Sequence, residues 1–222
     1  MKLNQLKIGS ILSYLQMFLS ILISLVYTPF MLKTLGQSEY GLYSTVSSTI
    51  AMLAVLNLGF NSSYVRYYMK YKVDKDEDSI AKLNGIFVLI FSAIGLIALF
   101  CGLFLSFNLD IVFSSGLTSA EYVIARRLMI LLSINMAISF PMSIFSNIIL
   151  AHEKYVFLKL LSLIRNVSSP LLTIPLLLLG YRSTAIVATT ILWALIIDIS
   201  YLIFSKKVLK VKFKFKGFPE GL

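Results

Sequence analysis

A few ionisable and amide-bearing residues sit inside stretches that are otherwise almost wholly apolar, and these positions are where chemistry could be done. Arg165 lies within the run Leu158 to Leu179, and Asp198 within the run Thr184 to Phe204. At helical rise, Arg165 is about 10 Å in from the start of its run and Asp198 about 9 Å in from the end of the next, so their depths match. Consecutive helices could bring them together as an ion pair. Two other readings of Arg165 stand beside that one: a guanidinium that binds an anion bidentately while staying charged, or a long side chain that reaches back to head groups. Asp198 also has the chemistry to carry a coupling proton or cation, a common use of a carboxylate in a membrane helix.

Polar residues accompany the arginine on one helical face. At about 100° per residue, Tyr155, Lys159, Ser162, Arg165, Asn166, Ser169 and Thr173 fall within roughly 60° of one line. Ser13, Gln16, Ser20, Ser24 and Tyr27 do the same in the first apolar run, within about 40°. A milder face in the second run holds Ser44, Ser47, Ala51, Ala54 and Asn61. Such residues are either interhelical glue, each worth about 1 kcal/mol or less, or the lining of a hydrated cavity. Stripes that run most of a helix in two separate spans favour the cavity. Its candidate lining is Gln16, Ser20, Ser24, Tyr27, Asn61, Ser162, Arg165, Asn166 and Ser169.

Catalysis has no raw material here. Ser-His-Asp sets, His or Cys clusters at metal spacing and phosphate-cradling glycine loops are all missing from the inventory, so no metal, no cofactor and no enzymatic activity is expected. The single histidine, His152, lies in a polar loop and is assigned no role. The single cysteine, Cys101, lies in an apolar run and has no intrachain partner.

The elements that must hold these residues follow from composition. The chain is 58% hydrophobic and only 14% charged, with mean hydropathy +0.87, so lipid is its main solvent. Six runs of 21 to 25 residues (8–32, 40–64, 83–107, 128–150, 158–179 and 184–204) can each cross a bilayer as a helix. They are too long and too evenly apolar for membrane strands. Fifteen of the twenty Lys and Arg residues fall on one side of this topology, which predicts an all-α integral membrane bundle of six helices with both ends in the cytoplasm. The net charge of +10 is explained by topology and anionic head groups, and nucleic acid is not expected as a partner.

The acidic loop around Asp74, Asp76, Glu77 and Asp78 reads as solvated. Residues 1–205 form the bundle, and 206–222 a basic cytoplasmic tail or the start of a longer loop, since Gly217 to Gly221 reads as a loop beginning. The partly alternating tail, Val211-Lys-Phe-Lys-Phe-Lys216, is expected to lie at the membrane interface, for want of a strand partner. Pro29, Pro141, Pro170 and Pro175 predict kinks. Ala98, Gly102 and Ser106 predict a close helix-packing face.

Several of these residues also form a recognisable pattern. Tyr27-Thr-Pro-Phe-Met-Leu-Lys-Thr-Leu-Gly36, Glu39-Tyr-Gly-Leu-Tyr43, Leu56-Asn-Leu-Gly-Phe60 with Arg66, Pro141, Ala151-His-Glu-Lys-Tyr155 and Leu179-Gly-Tyr181 resemble the polysaccharide-biosynthesis flippases of the Wzx type, within the MATE-like MOP superfamily. Part of the first motif is structural, because Gly36 and Gly41 suit a tight turn between helices. The resemblance implies one lobe of a two-lobed flippase in the bacterial inner (plasma) membrane. Its substrate would be a polyprenyl-pyrophosphate-linked oligosaccharide, an O-antigen or capsule repeat unit, carried from the cytoplasmic to the outer face. It also implies a second transmembrane lobe, from a missing C-terminal half or another chain, and adds Arg66 to Arg165 as a phosphate-binding candidate. A MATE-type cation-coupled exporter and a membrane scaffold for polysaccharide-synthesis enzymes are the competing readings.

Overall fold

Five of the six apolar runs emerge as single helices whose ends are set by polar or glycine punctuation. The computed structural model describes residues 2–57, 59–113 and 116–219, so Glu220 and Gly221 of the expected loop beginning, and Leu58 of the Leu56–Phe60 motif, lie outside the described residues. Among the described residues seven α-helices follow one another: α1 Lys2–Leu35, α2 Gln37–Met52, α3 Phe60–Val73, α4 Glu77–Phe107, α5 Ser119–Ala151, α6 Tyr155–Leu178 and α7 Arg182–Ile203. Together they supply six segments long and apolar enough to cross a membrane, with α2 and α3 forming one of them. No strand occurs among the described residues.

The second span differs from expectation. It is broken rather than continuous, passing from α2 through a 3-10 turn at Leu53–Asn57 to Gly59, whose φ of 79° starts α3. A left-handed residue cannot continue an α-helix, and glycine adopts that conformation without a Cβ clash. Gly36, with φ 80°, is the hinge between α1 and α2, as the motif suggested. Gly41 is not part of that turn; it lies inside α2 with no atom near its missing side chain.

The most extensive helix–helix contact is that of α4 with α5. Ala98, Gly102 and Ser106 are buried at this seam as expected, and Gly95 extends it, because a Cβ there would sit 2.7 Å from the Ala137 carbonyl oxygen. Small residues let the backbones approach, and in lipid that close packing is the main attraction between helices. One buried cluster, including Tyr64, Phe87, Phe91, Ile144 and Ile148, fills the space between α3, α4 and α5. A second, including Val46, Leu128, Met129 and Val187, joins α2, α5 and α7.

The tail is packed on the bundle: after a π-helical turn at Phe204–Val208 it runs as an extended strap across the start of α4. The Lys214 N–H donates to the Ala81 carbonyl at 2.8 Å, and the Asn84 amide donates to the Lys212 carbonyl at 2.9 Å. Gly85 makes room, since a Cβ there would meet the Lys214 backbone. The alternation is used, with Val211 and Phe213 turned toward the aromatic cluster and Lys212 and Lys214 exposed. A strand-like segment thus finds its partner in a helix end rather than another strand.

The acidic loop is likewise more than hydrated. Asp78 pairs with Lys82 at 2.6 Å and with Lys214 of the strap, and Glu77 lies 3.8 Å from Lys212. Asp76 caps α4 by accepting from the Ser79 N–H at 2.9 Å, and the Ser79 hydrogen bonds hold its carboxyl below the usual range.

Candidate functional site

The two polar stripes read from the sequence meet each other. Gly9 faces Tyr155, so closely that a Cβ on Gly9 would lie 2.9 Å from the Tyr155 Cβ. The Asn166 amide donates to the Ser20 hydroxyl at 2.8 Å, and the Tyr27 hydroxyl bonds the Thr173 side chain. The partners in all three pairs are separated by the same number of positions along the chain, so α1 and α6 run parallel in a fixed register. Gly9, Ser20 and Tyr27 span about five full turns at 3.6 residues each, which returns them to one face. Thr173 continues the chain to α7 through Thr189 at 2.8 Å.

Not every stripe group is consumed by the seam. The buried Gln16 Oε1 has no hydrogen-bond partner among the described residues. Ser24 is exposed and shares an open notch of about 540 Å³ with Ser20, Leu25, Thr28 and Pro29. Pro29 lacks an N–H, so the Leu25 carbonyl of this notch has no helix partner. Ser162 bonds back to the Leu158 carbonyl at 3.0 Å and also reaches the Tyr201 hydroxyl. Ser169 is half-buried and gives its carbonyl to Thr173 at 2.8 Å.

Arg165 and Asp198 occupy the same neighbourhood without forming a direct ion pair. They interact electrostatically, and Tyr201 shares that environment. Asp198 instead accepts from Ser139 of α5 at 3.2 Å. The half-buried guanidinium of Arg165 has neither a hydrogen bond nor a close carboxylate among the described residues, which leaves its fork of five N–H donors open.

The remaining candidates lie elsewhere. Asn61 and Arg66 belong to α3 and border a shallow cleft of about 390 Å³ against Asn147 and Leu150 of α5. The Asn147 amide donates to Asn61 at 2.6 Å, while Arg66 is exposed. Arg66 and Arg165 sit on different helices and keep different company, Arg66 beside the Asn61–Asn147 pair and Arg165 beside Asp198 and Tyr201.

What links the two neighbourhoods was missed in the sequence. Asn135, Ser139, Ser143, Ser146 and Asn147 of α5 also fall within roughly 60° of a common line. Ile144 and Ile148, turned away from that line, are fully buried. Ser139 serves Asp198 and Asn147 serves Asn61, so α5 is the polar backbone of an open wall whose two ends are the candidate clusters. The same wheel arithmetic would have found it.

A second missed residue is Glu39, 7% exposed near the start of α2. It accepts from the Ser183 N–H at 2.9 Å and pairs with the Arg182 Nε at 2.6 Å, capping α7. The Glu39-Tyr-Gly motif thus has a structural task. His152 is satisfied too: its Nδ1 lies 2.9 Å from the Ile148 carbonyl and its Nε2 lies 3.4 Å from the Tyr68 hydroxyl. That pairing assigns the N–H to Nδ1. No group of three or more His, Cys, Asp or Glu residues suited to a metal occurs among the described residues.

Compared with known families, the chain matches the profile described as polysaccharide biosynthesis protein over residues 6–220. No curated protein and no solved structure matches it.

Proposed function

From the premise that this chain belongs to the Wzx-type polysaccharide biosynthesis family, as a multi-pass membrane protein of the flippase type, we propose that it is a lobe that moves a polyprenyl-pyrophosphate-linked oligosaccharide. The cargo is an O-antigen or capsule repeat unit, moved from the cytoplasmic to the outer face of a bacterial inner membrane. The observation that carries this reading is Arg165: a guanidinium set in a membrane helix with its donors unused, beside a wall of hydroxyls and amides. A desolvated arginine without a partner is costly in lipid. A pyrophosphate supplies the missing bidentate acceptor, and Asn166, Ser162 and the α5 stripe offer donors and acceptors to sugar hydroxyls.

In this proposal Asp198 keeps the unloaded site close to neutral. It stays attached to Ser139 and yields electrostatic hold of Arg165 when the anion arrives. A second lobe closes the wall, and no bond is made or broken in the cargo, so the protein is not an enzyme.

The test is a strain lacking the gene, complemented with wild type, Arg165→Lys or Arg165→Ala, with lipid-linked saccharide quantified on each membrane face. Wild type should clear the cytoplasmic-face pool and both variants should let it accumulate, because lysine keeps the charge but loses the fork. Full rescue by lysine would overturn the bidentate role. Absence of any accumulation in the deletion would overturn the flippase reading.

A further inference from the structure

Away from this wall, the strap builds a second concave site. It roofs a pocket of about 410 Å³ whose other sides are the end of α3, the loop to α4 and the end of α5. Four lysines line it, Lys72, Lys75, Lys210 and Lys212, against one carboxylate, Glu77. Glu77 already faces Lys212 at 3.8 Å, and Lys72 donates to the Ala151 carbonyl at 3.3 Å, so these belong to the wall. Lys75 and Lys210 have no ion pair among the described residues.

The backbone adds a second observation. Lys75 and Lys210 are both held at left-handed φ, 56° and 52°. Side-chain-bearing residues rarely adopt that region, which costs of order 1 kcal/mol or more, and glycine or asparagine would serve better if only a turn were needed. The floor is polar and neutral, formed by Tyr68 and His152. Burial, with Lys72 and Lys154 nearby, pushes the His152 imidazole below its ordinary range. The positive charge of the pocket is therefore that of its lysines.

We infer that this pocket binds a phosphate monoester or pyrophosphate group. Several lysines around one concave pocket, without an arginine among its lining residues, suit a compact multiply charged anion rather than a planar carboxylate. The group arrives either on an anionic lipid of the adjacent leaflet or on a soluble phosphorylated compound. Binding would hold the strap against α4, because Lys210 belongs to the strap and Lys75 to the loop beneath it.

Amine-reactive footprinting of the full chain in nanodiscs, read by mass spectrometry, tests this. With inorganic pyrophosphate in phosphatidylcholine discs, saturable protection of Lys75 and Lys210, but not of exposed Lys33, supports the site and a soluble ligand. Protection that appears only when phosphatidic acid, a phosphate monoester lipid, is included supports the site and a lipid head group. No protection under either condition, or equal protection of Lys33, overturns it. A Lys75→Gln/Lys210→Gln variant should lose about 30-fold in pyrophosphate affinity measured by thermal shift, at about 1 kcal/mol for each lysine. The strap's own anchors, Asn84 and Ala81, are untouched by that change.

Discussion

Glu39 lies where two helices begin, in the first turn of its own α2 and against the start of α7. Helix N-termini carry partial positive charge and unpaired N–H groups, so one buried carboxylate serves both. Glu39→Ala removes two interactions of unequal worth. The charge-assisted bond from the Ser183 N–H, whose residue is 1% exposed, is worth about 1.5–3 kcal/mol. The Arg182 pair has an arginine side chain that is 64% exposed, and such a pair contributes at most about 1 kcal/mol. The alanine variant should therefore lose about 2–4 kcal/mol in reversible unfolding in mixed micelles. Glu39→Gln keeps an acceptor for Ser183 and should lose about 1–2 kcal/mol, the charge and the Arg182 pair. A double-mutant cycle with Arg182→Ala isolates the ion pair and should return a coupling under about 1 kcal/mol. An alanine variant no weaker than the glutamine one, or a cycle in which Arg182 accounts for the whole loss, would refute the capping argument.

Asn61→Ala and Asn147→Ala should each destabilise the α3–α5 contact, with a double-mutant coupling of about 0.6 kcal/mol typical of interhelical polar pairs in membranes; zero coupling would remove the hydrogen bond as a link. Gly85→Ala should displace the strap, seen as faster hydrogen exchange at the Lys214 amide and faster proteolysis between residues 209 and 216, with α1 and α6 unaffected. His152 gives a pH signature. Its folded value lies below the ordinary 6.5 because of burial, so the folded chain binds fewer protons than the unfolded one; stability is complete above that range and is lost as pH falls through 6.5 toward the folded value. Thermal midpoints taken between about pH 8 and about pH 5.5 should fall more in wild type than in His152→Gln, and parallel slopes would dismiss His152 as the titrating group.

The membrane-spanning helices were legible because lipid demands long apolar runs and lets nothing else cross. The α1 and α6 stripes were legible for a related reason, since polar groups in lipid must find partners and so collect on one face. The partner was not. Two stripes that each look like the lining of a cavity bond largely to each other, as Asn166 with Ser20 shows, and only the unmatched groups remain open. The break in the second span escaped because it has no proline; Gly59 makes it, and glycine is common in membrane helices for packing alone. The strap escaped because sequence rules for extended segments look for another strand, whereas its partners are the Ala81 carbonyl, the Asn84 amide and the bare face of Gly85. Its charge pairing with Glu77 and Asp78 was written in the composition of both segments, but their separation along the chain hid it.

The arrangement around α5 joins a firmly packed part of the bundle to a more loosely coupled one. On one side α5 is fused to α4 by small residues whose backbones nearly touch, and the strap that follows α7 is tied to the start of α4. The α1–α6 pair is a separate parallel unit that communicates with α5 chiefly through α7, where Ser139 holds Asp198. A close Arg165–Asp198 pair would have locked α6 to α7 and spent the guanidinium. The observed looser coupling leaves the guanidinium ready and allows α6 to shift without breaking an ion pair. An anion bound at Arg165 would therefore be felt first across the α6–α7 seam, through the one carboxylate that α5 already anchors.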